Sequence, residues 1–207
     1  MTEPQHKYPY PRPALTVDAL IFHFSEGSLN LLLIQRGDEP YKGSWAFPGG
    51  FVNENETVEQ AVVRELKEET GIEATGLQQV FTASAPGRDP RGWTVSVIFI
   101  GFIKDGTTLK AGDDAADARW HPLRNVTHLA FDHADIVDRV RLILKRRMKY
   151  GELIHYFLGK EFTQDEFIRL YKNIFDSEKE VGKVIRQLIL IKKLFLDEQT
   201  GLMYFLN

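Results

Sequence analysis

The chain has 207 residues, 43% of them apolar and 27% charged, so it can bury a real core and wholesale disorder is excluded. Its formal charge of −3 gives no general basic field for nucleic acid, and the absence of cysteine excludes disulfides and thiolate metal sites. The apolar runs fall far short of the roughly 20 residues of a membrane helix, and the proline-rich start MTEPQHKYPYPRP is no signal peptide. A cytoplasmic protein with no membrane partner is expected.

Residues 1–13 read as an extended lead-in. Ala14 to Phe24 and Leu29 to Gln35 are apolar, partly alternating strands around the turn Ser25-Glu26-Gly27-Ser28, and so form a hairpin. A Gly- and Pro-rich loop runs from Arg36 to Gly50. A helix over Thr57 to Thr70 follows, opened by a capping box of Thr57 and Gln60 and closed by Gly71. Leu77 to Ser84 and Trp93 to Ile103 read as strands around APGRDPRG, and Ala134 to Tyr150 as a second helix. The composition shifts near Tyr150, which sets a domain over 14–149 and another over 150–207. The second begins with a short helix over Glu152 to Leu158. Capping boxes at Thr163 with Glu166 and at Ser177 with Glu180 open two more helices, and a terminal hairpin turns at Glu198 to Gly201. Three helices and a hairpin in that order are the order of a small α+β winged helix.

The stretch Gly50 to Ile72 carries the chemistry. At 100° per residue, Glu65, Glu68 and Glu69 share an arc of about 100° on one helix face, beside an apolar strip of Val62, Val63 and Leu66. Like charges at this spacing repel, and Arg64 offsets only part of that. A hard divalent cation is the natural remainder, since such ions take oxygen ligands, and magnesium is usually shared with substrate phosphates. A solvated acidic face is the plain alternative for any such charge run.

The spacing argues against that alternative. Gly50, Glu56, Arg64, Glu65, Leu66, Glu68, Glu69, Gly71 and Ile72 match the Nudix box, Gly-x5-Glu-x7-Arg-Glu-U-x-Glu-Glu-x-Gly-U, at every specified position. Chance agreement in this length is about one in a million. The chain therefore resembles the Nudix family. The resemblance implies an α/β/α sandwich with a mixed sheet, Mg2+ or Mn2+ as cofactor, and cleavage of a diphosphate linked to another moiety. Carried over by position, Glu65, Glu68 and Glu69 would be metal ligands joined by the Gly50 carbonyl. Glu56 would be an auxiliary catalytic carboxylate, and Arg64 would orient the glutamates. Asp113 and Asp114 are helpers in a later loop, or else a solvated acidic turn.

Substrate must be read outside the box. Arg88, Arg91 and Trp93 in APGRDPRGW could clamp a diphosphate and stack on a base, and Arg36 is another phosphate or ribose contact. The alternatives are a tight turn with solvent-facing arginines, and a surface ion pair for Arg36. RDPRGW, WHPL (Trp120 to Leu123) and LAFDH (Leu129 to His133) are similar to a Nudix branch that handles ADP-ribose and related nucleoside diphosphate derivatives. His133 reads as a packing or capping residue at a helix start. That branch includes transcriptional regulators with a C-terminal winged helix, often homodimers. Two classes stay open: a hydrolase of ADP-ribose or a related compound, and a sensor that binds operator DNA. Residues 151–207 hold eight Lys/Arg against nine Asp/Glu, yet Lys179, Lys183 and Arg186 make the expected recognition helix locally positive.

Overall fold

A computed structural model describes residues 9–73, 76–103 and 115–206. Strands β1 (Ala14–Ser25) and β2 (Ser28–Arg36) form the expected hairpin, and both turn residues, Glu26 and Gly27, take the positive φ that a two-residue turn demands. Direct pairing lasts only from Phe22–Leu31 to Ser25–Ser28. Beyond it the strands splay. Into the wedge come β3 (Trp45–Ala46), paired to β2, and β4 (Gly49–Phe51), paired to β1 at Thr16, Val17 and Asp18. β5 (Gln78–Ala83) edges the sheet beside β6 (Thr94–Ile103), which runs parallel to β1. β7 (Ala115–Pro122) covers the other side of β2. The sheet is therefore mixed, with seven strands among the described residues.

Alternation along β1 explains the layers. Val17, Ala19 and Ile21 face helix α1 (Val58–Thr70) and pack on Ala61, Val62 and Leu66. Leu20 and Phe22 face the opposite way, toward α2 (His133–Lys149), where Ile136, Val137, Val140 and Leu144 are buried. Each fully buried aliphatic side chain of this kind stabilises the fold by about 1.5–3 kcal/mol before entropy is counted. Thr57 caps α1 with Gln60 as the capping box requires, and Gly71 ends it in the left-handed conformation.

The rest of the chain gives α3 (Ile154–Phe157), β8 (Glu161–Thr163), α4 (Gln164–Phe175), α5 (Val181–Leu190), β9 (Leu194–Leu196) and β10 (Leu202–Phe205). β8, β10 and β9 form a small antiparallel sheet beside the helices, the arrangement of a winged helix. One buried cluster runs from Leu20 and Leu31 through Val140 to Phe167 and Leu188, so this part packs on the α2 side of the large sheet. Asn173 on α4 grips the β1–β2 turn: its side chain accepts from the Leu29 N–H at 3.0 Å and donates to the Gly27 carbonyl at 2.9 Å.

Several expectations need correction. Ser177 and Glu180 form no capping box; Ser177 accepts from the Lys179 N–H, and α5 starts only after Glu180, without a side-chain cap. The loop from Arg36 to Gly50 contains β3 and β4, which are too short to show a period. β7 and β8 were not anticipated either. Asp113 and Asp114 lie outside the described residues. No helix among those described is long and apolar enough to cross a membrane.

Candidate functional site

The splay of β1 from β2 opens a cleft of about 560 Å³, the space at its mouth included. Asp18, Arg36, Gly49, Gly50, Arg91 and Phe131 are among its walls.

At one end the acidic helix meets the Gly49–Gly50 backbone. Glu69 turns its carboxyl inward and accepts the Gly49 N–H at 2.8 Å. The Glu65 carboxylate lies where a side chain on residue 50 would stand: a Cβ there would come within 2.3 Å of its Oε1, so any side chain at 50 would push that carboxylate aside. Arg64 is the hub of the helix. It donates to both Glu56 oxygens, to Glu65 at 2.8 Å, to Glu68 at 3.0 Å and to the Phe51 carbonyl. Sequence position implied that Glu65, Glu68 and Glu69 meet at one point. In the structure Glu65 and Glu68 share the Arg64 Nη1 as donor, Glu68 with its side chain 58% exposed, while Glu69 turns to the Gly49 N–H. Among the described residues no three His, Asp or Glu side chains stand together as a metal cluster.

The donor chemistry nonetheless fits a hard cation. Burial raises the Glu65 carboxyl above its ordinary value against the opposing pull of Arg64, with Glu68 and Glu56 adding to the rise. Burial pushes Glu69 up to about 8, Glu65 and Asp18 add to the rise, and the Gly49 N–H and Arg36 oppose it only in part. Buried oxygens that repel one another beside a glycine cradle are what a divalent ion would reconcile.

The Glu69 shift has a measurable consequence. Its proton is held more tightly in the folded chain than in the unfolded chain, where the pKa is near 4.5. This contribution to stability is complete below about pH 4.5 and is lost as pH rises through about 8. The full loss is on the order of 5 kcal/mol as an upper bound. In metal-free buffer the parent should therefore lose unfolding temperature relative to Glu69→Gln between pH 5 and 9. Parallel curves for the two proteins would remove the argument.

At the other end of the cleft the charges reverse. Arg36 and Arg91 both lie over the ring of Phe131, and Arg91 also over Phe51 at 5.1 Å. Burial and the neighbouring Arg91 lower the Arg36 pKa. Arg88 has a different fate from the one expected of it. It lines the cleft, yet makes a two-pronged ion pair with Asp132 at 2.8 and 2.9 Å, its side chain only 5% exposed, and so anchors its loop to the start of α2 with its charge already matched. Trp93 does not line the cleft and is 56% exposed. The expected clamp thus reduces to Arg36 and Arg91.

Sequence reasoning missed Asp18, Phe51, Asp89 and Phe131. Asp18 gave a signal, an acid at a core position of an apolar strand. It accepts from the Ser96 hydroxyl at 2.5 Å and lies 3.7 Å from Arg88 and 3.6 Å from His133. His133 is the packing residue it was read as: buried, stacked on Phe47, and accepting the Phe47 N–H through Nδ1 at 3.1 Å. Burial holds its pKa down. On α5, Lys183 and Arg186 are exposed opposite the buried Val184, Ile185 and Leu188, whereas Lys179 precedes the helix.

The NUDIX domain family matches residues 12–140. An ADP-ribose pyrophosphatase of Methanocaldococcus jannaschii is 48% identical over 128 residues, which span 62% of this chain and 73% of that protein. The ADPR responsive transcriptional repressor NtrR of Acinetobacter baylyi is 33% identical over 187 residues, 88% of this chain and 75% of the repressor. The structure of Shewanella oneidensis NrtR complexed with a 27mer DNA superposes with a TM-score of 0.72 at 27% identity, covering 93% of each chain.

Proposed function

The chain belongs to the Nudix family, and from that premise we propose that it is a magnesium-dependent hydrolase of ADP-ribose or a related nucleoside diphosphate derivative. The observation that carries this is a cleft walled by Gly49 and Gly50, against which the Glu69 and Glu65 carboxylates lie, and by two guanidiniums over Phe131. A diphosphate with a cation on one side and basic groups on the other is the ligand that matches such polarity. Glu65, Glu69 and the Gly50 carbonyl would hold the ion, with Glu68 as the further ligand. The chemistry magnesium or manganese supplies when bound is acidification of water and neutralisation of phosphate charge. Arg64, fixed by Glu56, holds Glu65 in orientation. Arg36 and Arg91 bind the phosphate oxygens, and Arg88 with Asp132 keeps the Arg91 loop in place. Incubation with ADP-ribose and magnesium should yield AMP and ribose 5-phosphate, and no turnover at any metal concentration would overturn the hydrolase reading.

The second reading is a sensor. It takes residues 14–149 as the ligand-binding unit and 150–207 as the DNA-binding unit. It is supported by the similarity to NtrR, which extends past residue 150, and by the exposed Lys183 and Arg186 on α5. A cytoplasmic homodimer placing two winged helices on one operator belongs to this reading. Binding to the chain's own upstream DNA should weaken steeply with salt and be released by ADP-ribose. Salt-independent or absent binding would leave the hydrolase alone.

A further inference from the structure

Two guanidiniums resting on one phenyl ring is an unusual concentration of charge. Arg36 and Arg91 lie 4.9 and 5.5 Å from the centre of Phe131. Arg91 is partly neutralised, since it grips Asp89 through two nitrogens. The Arg36 side chain donates only to the Pro40 and Asp38 carbonyls, and among the described residues no carboxylate pairs with it. Tyr41 meets the Phe131 ring edge-on at 4.9 Å. Both aromatic residues are held with left-handed backbone, φ 54 at Phe131 and φ 66 at Tyr41, which is costly for a bulky L-residue. Strain of this kind persists where the surroundings over-determine it, and ligand clamps are a common place. The carboxylates of Glu69, Asp89 and Asp38 offset part of the Arg36 charge, and Phe131 is the ring that both guanidiniums share.

We infer that Phe131, braced by Tyr41, is a positioning residue that joins Arg36 and Arg91 into one two-point anion clamp, and that it thereby makes the cleft select a diphosphate over a monophosphate. The ring's negative face offsets the mutual repulsion of the cations until a ligand with two linked phosphates takes over that task. This rests on the diphosphate reading of the cleft.

The test is calorimetric titration of the full chain with ADP-ribose and with AMP, calcium replacing magnesium to suppress turnover. Phe131→Leu should weaken ADP-ribose binding about 10-fold while changing AMP binding less than about 3-fold. Phe131→Tyr should restore the parent ratio. Tyr41→Asn, which tolerates left-handed backbone, should raise the unfolding temperature by about 1–3 °C and still weaken ADP-ribose about 3-fold. If Phe131→Leu weakens both ligands alike, or neither, the inference falls while the cleft reading stands. Should that variant not fold, an unchanged ligand ratio in Tyr41→Asn decides against it equally. A parent that binds no ADP-ribose overturns the cleft reading, and the clamp with it.

Discussion

Glu69→Gln is expected to lower ADP-ribose hydrolysis by about three orders of magnitude or more while the protein folds and unfolds cooperatively. The amide has the size of the carboxyl, and its oxygen can still accept the Gly49 N–H that Glu69 accepts at 2.8 Å. What it loses is the negative charge beside Glu65 and Asp18. In the proposed function Glu69 is an anionic ligand of the metal, and where catalysis consists of positioning and charge stabilisation its loss is not made good by the remaining contacts. Fold and activity should therefore separate cleanly, with the circular dichroism spectrum unchanged and the turnover gone. Equal turnover by variant and parent would remove Glu69 from the chemistry.

The second large effect contrasts two adjacent glycines. A Cβ on Gly49 would stand 2.1 Å from the Val17 carbonyl oxygen and 3.0 Å from the Asp18 Cα, both backbone atoms of the paired strand β1. Backbone in a sheet cannot step aside, so Gly49→Ala should destabilise the fold by about 3 kcal/mol or more. A Cβ on Gly50 would meet only the Glu65 carboxylate, at 2.3 to 2.8 Å, and that side chain can swing away. Gly50→Ala should keep an unfolding temperature within about 3 °C of the parent, yet lose about 100-fold or more in turnover, because it displaces by an ångström or so the carboxylate that the proposed function gives to the metal. Urea denaturation and initial rates measured on both variants check the pair. If Gly50→Ala keeps full activity, Glu65 does not act where it lies.

The acidic helix was legible because its chemistry demands fixed spacing along one chain segment. Thr57, Thr163 and Gly71 were legible for the same local reason, since caps are made within a turn. Two of the failures come from partners far apart in sequence. Arg88, Arg91 and Trp93 sit in one short loop and are equivalent on composition, but Asp132, 44 residues away, takes Arg88, while Arg91 pairs with Asp89 two residues before it and keeps its place in the cleft wall. The Asp18 partner Ser96 is 78 residues distant. That Arg64, one turn back, holds Glu68 together with Glu65 follows from the i,i+4 spacing, whereas the turn of Glu69 to Gly49, 20 residues away, does not. The left-handed Phe131 leaves no mark at all, since nothing about a phenylalanine announces a backbone that disfavours it.

The grip of Asn173 on the β1–β2 turn gives the two halves of the molecule a shared mechanical part. The strands that carry Asp18 and Arg36 into the cleft end, roughly 30 Å away, in the loop clasped by α4. The two strands thus run from the cleft wall at one end to the helical module at the other. A displacement of either strand at the cleft would therefore reach α4 through two hydrogen bonds of one asparagine.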